Sequence, residues 1–275
     1  MSRPSPTVTV MMDAARAAGR RLIRDFGEVE NLQVSRKGPS DFVSAADKKA
    51  EEIIRKSLEK TRPGYGFLLE EGGEVLGSDK THRFIIDPLD GTLNFLHGIP
   101  HFAVSIGLER DGKLRAGVVH DPMRNETFWA EENQGAWLDN KRLRVASRRK
   151  LSEAVVTTGI PQLGKDGGEK FIDELARVRA EVAAVRRFGS AALDLAWVAA
   201  GRFDGFWERG LQLWDIAAGF VLMQEAGGMV TGLDKKDPTR GSFVAANTSL
   251  APKIIELVEG RLKKPAAGSK LLKPL

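Results

Sequence analysis

Two aspartates spaced three residues apart follow a short apolar run in the first third of the chain. The run at residues 84–86 reads FII and predicts a buried strand, and residues 87–92 read DPLDGT. Because mixed α/β sheets bind ligands at the carboxyl ends of strands, Asp87 and Asp90 are expected at the mouth of a site. Thr92 is expected to begin a helix whose N–H groups attract anions. The hexapeptide predicts a cation site beside an anion site, and an Asp-rich turn that only caps a helix fits the same residues.

Two further acids stand at the ends of predicted elements. Glu70 follows the strand-like run GFLL at residues 66–69, and Asp215 stands near the start of a predicted helix. Taken singly, the first fits a strand end in solvent and the second fits a helix cap. Together with Asp87 and Asp90 they offer the hard oxygen ligands that Mg²⁺ prefers, and a metal explains why carboxylates that repel one another are gathered. The chemistry expected is metal-assisted hydrolysis of a phosphate ester.

Composition narrows the choice of chemistry. The chain of 275 residues has no cysteine, which excludes disulfides, thiolate zinc sites, iron–sulfur clusters and cysteine nucleophiles. Its four histidines form no His-x-x-x-His pair, so the chain offers few of the ligands that zinc prefers. Hydrophobic residues make up 42% and charged residues 29%, as in folded soluble proteins. Without a membrane-length apolar run or a secretory signal, the chain is expected in the cytoplasm with no membrane partner.

The excess of basic over acidic residues lies at the carboxyl end of the chain. The net charge is +5, yet five of the 42 basic residues lie in the last 15 residues, and the rest of the chain balances 37 bases against 37 acids. Residues 263–275 are expected to form a flexible, solvated tail. A nucleic-acid or transcription partner is therefore possible but unsupported by the charge distribution.

Helical and strand-like patterns alternate along the chain and predict a mixed α/β (α+β) fold of layered sheets. We expect one domain over residues 1–262 in two lobes, about 1–145 and 146–262, because no linker separates them. A hairpin is expected around the turn at residues 110–112. The predicted helices are 8–26, 45–60, 168–179, 190–200 and 216–225, and the predicted strands are 66–69, 84–86, 104–108, 114–119, 154–158, 181–186, 203–207 and 229–231.

Five motifs, in order, resemble the signatures of the inositol monophosphatase family. They are DFVSAAD at 41–47, EE at 70–71, DPLDGT at 87–92, GSAA at 189–192 and WDIAAG at 214–219. Residues 94–97, 102–106 and 121–126 are most similar to its bacterial branch, the extragenic suppressor proteins. The resemblance implies the αβαβα sandwich shared with fructose-1,6-bisphosphatase, a homodimer, two or three Mg²⁺ ions per subunit, and inhibition by lithium.

The resemblance also implies roles for individual residues. The metal ligands would be Glu70, Asp87, the Leu89 carbonyl, Asp90 and Asp215, with Asp87 shared between two ions and a third ion near Glu70. Glu70 and Thr92 would be catalytic residues that orient and deprotonate the attacking water, and Asp47 would form a hydrogen bond with Thr92. The residues that would bind substrate are Asp90, Gly91, Thr92, Gly189, Ser190, Ala191, Glu208 and Asp215. Lys37 is a further candidate near the site. From the residues alone, Asp47 also fits a capping partner of Ser44, and Glu208 fits an exposed strand end.

The substrate is expected to be an inositol monophosphate, because Glu208 can accept hydrogen bonds from a polyol. A bisphosphate would need a basic residue there, and neighbouring side chains on a strand point to opposite faces, so Arg209 should face away. The alternatives on the same scaffold are 3′,5′-bisphosphate nucleotidase, fructose-1,6-bisphosphatase and histidinol-phosphatase activity.

Two alternative functions, each typical of another class of protein, remain open. A regulatory role in binding RNA or the transcription machinery is permitted by the resemblance, with the tail and the pair Arg186 and Arg187 as its only support; that pair also fits a subunit interface or the rim of the substrate site. Residues 159–166, GIPQLGKD, are close to a nucleotide-binding loop. Asp166 stands where a hydroxyl should bind Mg²⁺, which argues against an NTPase.

Overall fold

Five alternating layers of helix and sheet make up the fold. The computed structural model describes residues 3–28, 34–36, 42–161 and 168–261, with the backbone alone for 34–36 and 42–44. Three apolar cores hold the layers together: one between helices α1 and α2 and the first sheet, one between the two sheets around α5 and α6, and one between the second sheet and α4 and α7. The predicted αβαβα sandwich is confirmed.

The helices and strands have the following bounds. The helices are α1 (Pro6–Phe26), α2 (Ala45–Thr61), α3 (Thr92–Leu96), α4 (Gly168–Arg179), α5 (Ala191–Ala199), α6 (Leu213–Glu225) and α7 (Ala251–Val258). The strands are β1 (Val34–Arg36), β2 (Phe42–Ser44), β3 (Gly66–Leu69), β4 (Gly73–Val75), β5 (His82–Asp90), β6 (Ala103–Arg110), β7 (Lys113–Asp121), β8 (Glu126–Glu131), β9 (Gly135–Leu138), β10 (Lys141–Arg142), β11 (Val155–Thr158), β12 (Ala184–Arg186), β13 (Gly205–Glu208), β14 (Met229–Gly232) and β15 (Phe243–Ala246).

The first sheet has eight strands in the order β10-β9-β8-β7-β6-β5-β3-β4. Its strands pair antiparallel except β3 and β5, which run parallel and therefore end on the same side. The predicted hairpin is confirmed as β6 and β7, joined at Asp111 and Gly112, which both have positive φ. Positive φ at both positions is the requirement of the hairpin turn that an Asp-Gly pair favours.

The second sheet has five strands in the order β12-β11-β13-β15-β14. Strand β11 runs parallel to β12 and β13, and β15 runs antiparallel to β13 and β14. Its strands all follow residue 154, whereas those of the first sheet all precede residue 143. The carboxyl ends of β11 and β13 therefore lie side by side.

Helix α6 packs between the sheets and against β6 and β7 of the first one. It lies close to β7 because Gly117 has no side chain: a Cβ there would sit 2.4 Å from the Ala218 carbonyl oxygen. In the same layer, α5 packs against α6. Helices α5 and α6 thus lie between the two sheets.

The structure differs from the predicted elements in a few places. Strand β5 continues four residues beyond the predicted end at residue 86, and helix α7 and seven strands, β1, β2, β4, β8, β9, β10 and β15, were missed. The sequence did contain a signal for α7, because Pro252 stands in its first turn. In the structure the Asn247 side chain accepts hydrogen bonds from the Ser249 and Leu250 N–H groups just before this helix. The predicted strand at residues 181–186 is limited to β12. The predicted tail, Lys37 and most of the loop at 159–166 lie outside the described residues.

Candidate metal-dependent phosphatase site

Glu70 and Asp87 are brought together by the parallel pairing of β3 and β5. Leu69 is the register partner of Ile86, and the Glu70 N–H donates to the Ile86 carbonyl oxygen at 3.2 Å. A hydrogen bond between the side chains of Glu70 and Asp87 contributes to the raised pKa of Asp87. The two acids that sequence analysis placed at strand ends are therefore neighbours.

Asp87 lies at an irregularity in strand β5. The pairing with β6 shifts between Asp87 and Asp90, and Pro88, which has no N–H to donate, lies within this shift. The Asp87 Oδ1 accepts from the Leu89 N–H at 2.9 Å. Because pairing with β6 resumes at Asp90 after the shift, β5 reaches residue 90, whereas the sequence predicted a turn directly after residue 86.

Asp87 is buried among other carboxylates. Its pKa is raised well above its usual range, first by burial and then by the negative charges of Glu70, Asp90 and Asp215. Four acids from β3, β5 and α6 therefore lie close enough to repel one another. A divalent cation between them would relieve that repulsion.

Asp90 joins the first sheet to the start of helix α5. Its carboxylate accepts hydrogen bonds from the Ser190 hydroxyl and from the Ala192 and Ala191 N–H groups, the latter two at 2.8 and 3.3 Å. Burial raises the pKa of Asp90 to about 6, and these hydrogen bonds oppose the rise. The alternative interpretation, that Asp90 only caps the helix next to it, is wrong: α3 has Gly91 as its N-cap and no side-chain cap, whereas Asp90 bonds to the start of α5, a hundred residues away, whose N-cap is Ser190.

Gly91 and Thr92 form the start of α3. Gly91 has φ +99°, and a Cβ there would lie 3.1 Å from the His101 carbonyl oxygen and 3.3 Å from that of Gly189, so glycine is required. The Thr92 hydroxyl donates to the Leu89 carbonyl oxygen at 3.0 Å. Helix α3 has only five residues, so its dipole is weak. Its first N–H groups still lack partners within the helix.

Asn94 is a positioning residue that sequence analysis did not single out. It is buried in α3, and its Nδ2 donates to the carbonyl oxygens of His101 and Phe188, both at 2.8 Å. These bonds hold the loop before α5 against α3. Asparagine inside a short helix was a usable signal, because its side chain commonly bonds to backbone groups outside the helix.

Asp215 occupies the third position of α6. Its Oδ2 accepts from the Gln212 N–H at 2.7 Å in a reciprocal capping box with that residue. The expected capping role is therefore present, with Gln212 and not Asp215 as the N-cap. The negative charge of Asp215 nevertheless acts on Asp87, whose pKa it helps to raise.

Glu208 and its neighbour Arg209 point to opposite sides, as the strand alternation predicted. Burial raises the pKa of Glu208, followed by the charges of Asp194, Asp215 and Asp90, while Arg187 lowers it. The Arg209 guanidinium instead donates to Glu174 at 2.7 Å and to Asp234 at 2.8 Å. Glu208 is therefore on the side of the acids, and Arg209 is held in an ion-pair network away from them.

Asp194 is a buried acid that sequence analysis missed. It lies in α5, is 1% exposed, and accepts from the Thr157 hydroxyl at 2.9 Å. Burial raises its pKa, opposed by the Thr157 hydrogen bond and by Arg187. No local pattern pointed to it, because an Asp in the first turn of a helix is ordinary. Arg187 is exposed, as Arg186 is, but its charge acts on the carboxylates of Asp194 and Glu208, which supports a place for Arg187 at the rim of the site.

The donor set fits a hard divalent cation. Its side-chain atoms are carboxylate oxygens at strand and helix ends, the ligands that Mg²⁺ prefers. As they stand, no three ligating side chains in the described ranges surround a common point closely enough to hold an ion. Two of the carboxylates are instead hydrogen-bonded to backbone N–H groups, at the starts of α5 and α6. Asp47, in the first turn of α2, is buried, and its expected bond to Thr92 stays a prediction.

No helix in the described part of the chain has the length and apolar character needed to cross a bilayer.

Comparisons with known proteins agree on one family. A model of the inositol monophosphatase family matches residues 3–263. The chain is 57% identical to an inositol-1-monophosphatase of Caulobacter vibrioides over 90% of this chain and 98% of that protein. It is 44% identical to the Nus factor SuhB of Escherichia coli, over 82% and 85%. The crystal structure of the extragenic suppressor protein suhB from Bartonella henselae superposes with a TM-score of 0.91 at 52% identity, over 94% of this chain and all of that one.

Proposed function

The chain belongs to the inositol monophosphatase family, and from that membership we propose that it hydrolyses inositol monophosphate to inositol and phosphate with Mg²⁺ as its cofactor. The observation that carries the proposal is the group of acids around Asp87, next to the turn at Gly91 and Thr92. Such a group is expensive to bury without a cation. The chain is a phosphatase of this family, and the identity of the metal, the number of ions and the roles of the residues are part of the proposal.

We propose that Glu70, Asp87, the Leu89 carbonyl, Asp90 and Asp215 hold the metal. Bound Mg²⁺ would make a water molecule more acidic and neutralise negative charge on the phosphate. Two or three ions per subunit are consistent with this number of oxygen ligands, and inhibition by lithium is expected with them.

The side chains next to the acids orient the attacking water. The Thr92 hydroxyl donates its proton to the Leu89 carbonyl oxygen, so its own oxygen lone pairs can accept a hydrogen bond from water. The Glu70 carboxylate then accepts the proton that the water loses as it attacks phosphorus, while the bond from phosphorus to the inositol oxygen breaks and that oxygen takes up a proton to leave as the alcohol. Asp47 would hold Thr92 from the side of α2.

The substrate is held at both ends. The backbone N–H groups of Gly91 and Thr92 bind phosphate oxygens, because they lack partners within α3. Glu208 accepts hydrogen bonds from the hydroxyl groups of the polyol. Residues 189–191, which meet Asp90 and Gly91 at the start of α5, complete the wall of the site.

The position of Arg209 favours a monophosphate over a bisphosphate. Its guanidinium is occupied by Glu174 and Asp234, while Glu208, which we propose to face the organic part of the substrate, has the carboxylate of Asp194 near it. Like charges at that position oppose bisphosphate binding. We therefore expect a higher kcat/KM for inositol 1-phosphate than for 3′-phosphoadenosine 5′-phosphate or fructose 1,6-bisphosphate.

A substrate panel tests this proposal. Initial rates are measured with Mg²⁺ for the three esters and for histidinol phosphate. A larger kcat/KM for any of the other three would reject the inositol assignment and leave a metal-dependent phosphatase. Working in the cytoplasm as a homodimer is proposed from the family resemblance, and sedimentation of the purified chain tests the dimer.

The 44% identity to a Nus factor makes a role in transcription a second candidate. The two functions separate in a strain that lacks the gene. If an Asp90→Asn variant without phosphatase activity restores growth, the chain has a role that does not depend on catalysis; if only the active protein restores growth, that second candidate is rejected.

A further inference from the structure

Gly159, the residue directly after β11, lies against the end of the Glu208 side chain. A Cβ at residue 159 would lie 1.9 Å from Glu208 Oε1, 2.0 Å from Cδ and 2.2 Å from Oε2. These three atoms are the carboxylate itself. The carboxylate of Glu208 therefore occupies the volume that any side chain at residue 159 would need.

The two strands that carry these residues are fixed against each other. Thr158 and Trp207 are register partners in the parallel pairing of β11 and β13, and the Thr158 hydroxyl donates to the Trp207 carbonyl oxygen at 2.8 Å. Trp207 is fully buried, and Arg209 is held by Glu174. Since the backbone on both sides of Glu208 is anchored, a side chain at residue 159 would displace the carboxylate and not the strand.

We propose that Gly159 is a specificity-determining positioning residue: by having no side chain, it fixes the Glu208 carboxylate where it accepts hydrogen bonds from the hydroxyl groups of a polyol phosphate. The inference rests on the proposed function, in which Glu208 binds the polyol. It explains why a glycine stands at residue 159, in the segment whose sequence is close to that of a nucleotide-binding loop. The backbone does not require the glycine, because φ at residue 159 lies outside the left-handed region.

The variant Gly159→Ala tests the inference. With Mg²⁺ present, the KM for inositol 1-phosphate should rise about tenfold, the order of magnitude of one lost hydrogen bond to a charged group. For 4-nitrophenyl phosphate, which has no hydroxyl group, kcat and KM should change less than twofold. The melting temperature should stay the same, because the flexible end of a glutamate can rotate away. Equal losses for both esters would overturn the inference.

A matched control is Gly168→Ala at the start of α4. Among the residues that the structure describes, no heavy atom lies within 4 Å of a Cβ at that residue, and its φ is not in the left-handed region. Its kinetic constants for both esters should equal those of the wild type. A tenfold rise in KM for the inositol ester in this control would show that any alanine in the region has the effect, which would overturn the assignment to Gly159.

A double variant shows whether Gly159 acts through Glu208. Glu208→Ala removes all three of the atoms that lie nearest to a methyl group at residue 159. Gly159→Ala combined with Glu208→Ala should therefore have the same KM for inositol 1-phosphate as Glu208→Ala alone. If the two effects multiply instead, the residues act independently and the inference is wrong.

A crystal structure of Gly159→Ala separates this inference from the proposed function. The Glu208 carboxylate should move by about 1.5 Å or more to restore an ordinary contact distance. An unmoved carboxylate would overturn the role of Gly159 whatever the substrate is. A wild-type enzyme that does not prefer inositol 1-phosphate to 4-nitrophenyl phosphate would reject the proposed substrate, and a moved carboxylate would then still support the positioning role.

Discussion

The buried acids around Asp87 differ from two other buried acids, Glu174 and Asp204, which lie near the second sheet. Asp87 lies among Glu70, Asp90 and Asp215, whose negative charges raise its pKa. Around the second sheet, Glu174 and Asp204 are as deeply buried, but each is paired with an arginine, at 2.7 and 3.1 Å. Burial of a carboxylate is therefore not in itself a mark of function. Crowding of like charges is the better indicator, because it costs stability unless a cation joins the group.

The largest effect is expected for Asp90→Asn. The change removes a proposed metal ligand, and metal coordination contributes several kcal/mol to stabilising the transition state, so kcat/KM should fall about 10⁴-fold. Folding should be largely kept, since the amide oxygen can still accept from an N–H group at the start of α5 and the cost of burying a charge disappears. Steady-state kinetics and a thermal melt without metal measure the two effects.

Asp204→Asn is the matched control around the second sheet. The Asp204 carboxylate accepts from the Val155 N–H at 2.8 Å and pairs with Arg148, so its neutralisation should lower the free energy of unfolding by about 2 kcal/mol. The folded variant should keep its kcat. If Asp204→Asn lost activity as Asp90→Asn does, the distinction between the two groups of acids would fail.

A smaller effect is expected for Thr92→Ala. Loss of the hydroxyl removes one contact to the attacking water while Glu70 remains, so kcat should fall about 10²-fold, at the low end for acid–base and positioning groups. The concentration of Mg²⁺ that gives half-maximal rate should hardly change. An unchanged kcat with much weaker Mg²⁺ dependence would mean that Thr92 supports the Leu89 carbonyl, to which it is bonded, and does not position water.

The last effect concerns stability in the presence of metal. If Mg²⁺ relieves the repulsion around Asp87, a concentration 100 times its Kd should add about 2.7 kcal/mol to the free energy of unfolding of the wild type. Asp87→Asn should be at least as stable as the wild type without metal and should gain much less from Mg²⁺. Thermal melts with and without the ion measure both. Equal stabilisation of the two proteins would contradict the charge comparison.

Local patterns were sufficient for much of the fold. Strand β3 and helix α4 have the predicted bounds, because the apolar runs and helical spacing there are uninterrupted. The end of β5 was misplaced, because an Asp-Pro pair after three apolar residues is typical of a turn, yet β6 continues to pair beyond it. Strand β15 was missed because its run FVAA is only four residues long. It is held in the sheet by pairing with β13 and β14, and a short stretch of sequence does not show such neighbours.

The sequence by itself determined which groups are available for chemistry. Glu70, Asp87, Asp90 and Thr92 lie within 23 residues of one another, beside strands that can be recognised locally, and the absence of cysteine restricted the chemistry to oxygen and nitrogen ligands. Because the spacing is local, a strand followed by a turn was enough to place these groups at one edge of a sheet.

Only the tertiary structure decided how distant residues complete the site. Asp90 accepts hydrogen bonds from the start of a helix that begins a hundred residues later, and Gly159 leaves space for the carboxylate of Glu208 on the neighbouring strand. Asp194, which no pattern indicated, lies near both acids because α5 is packed between the two sheets. Contacts of this kind depend on how layers pack, and packing is set by the shapes of side chains far apart in the chain, which local propensity does not describe.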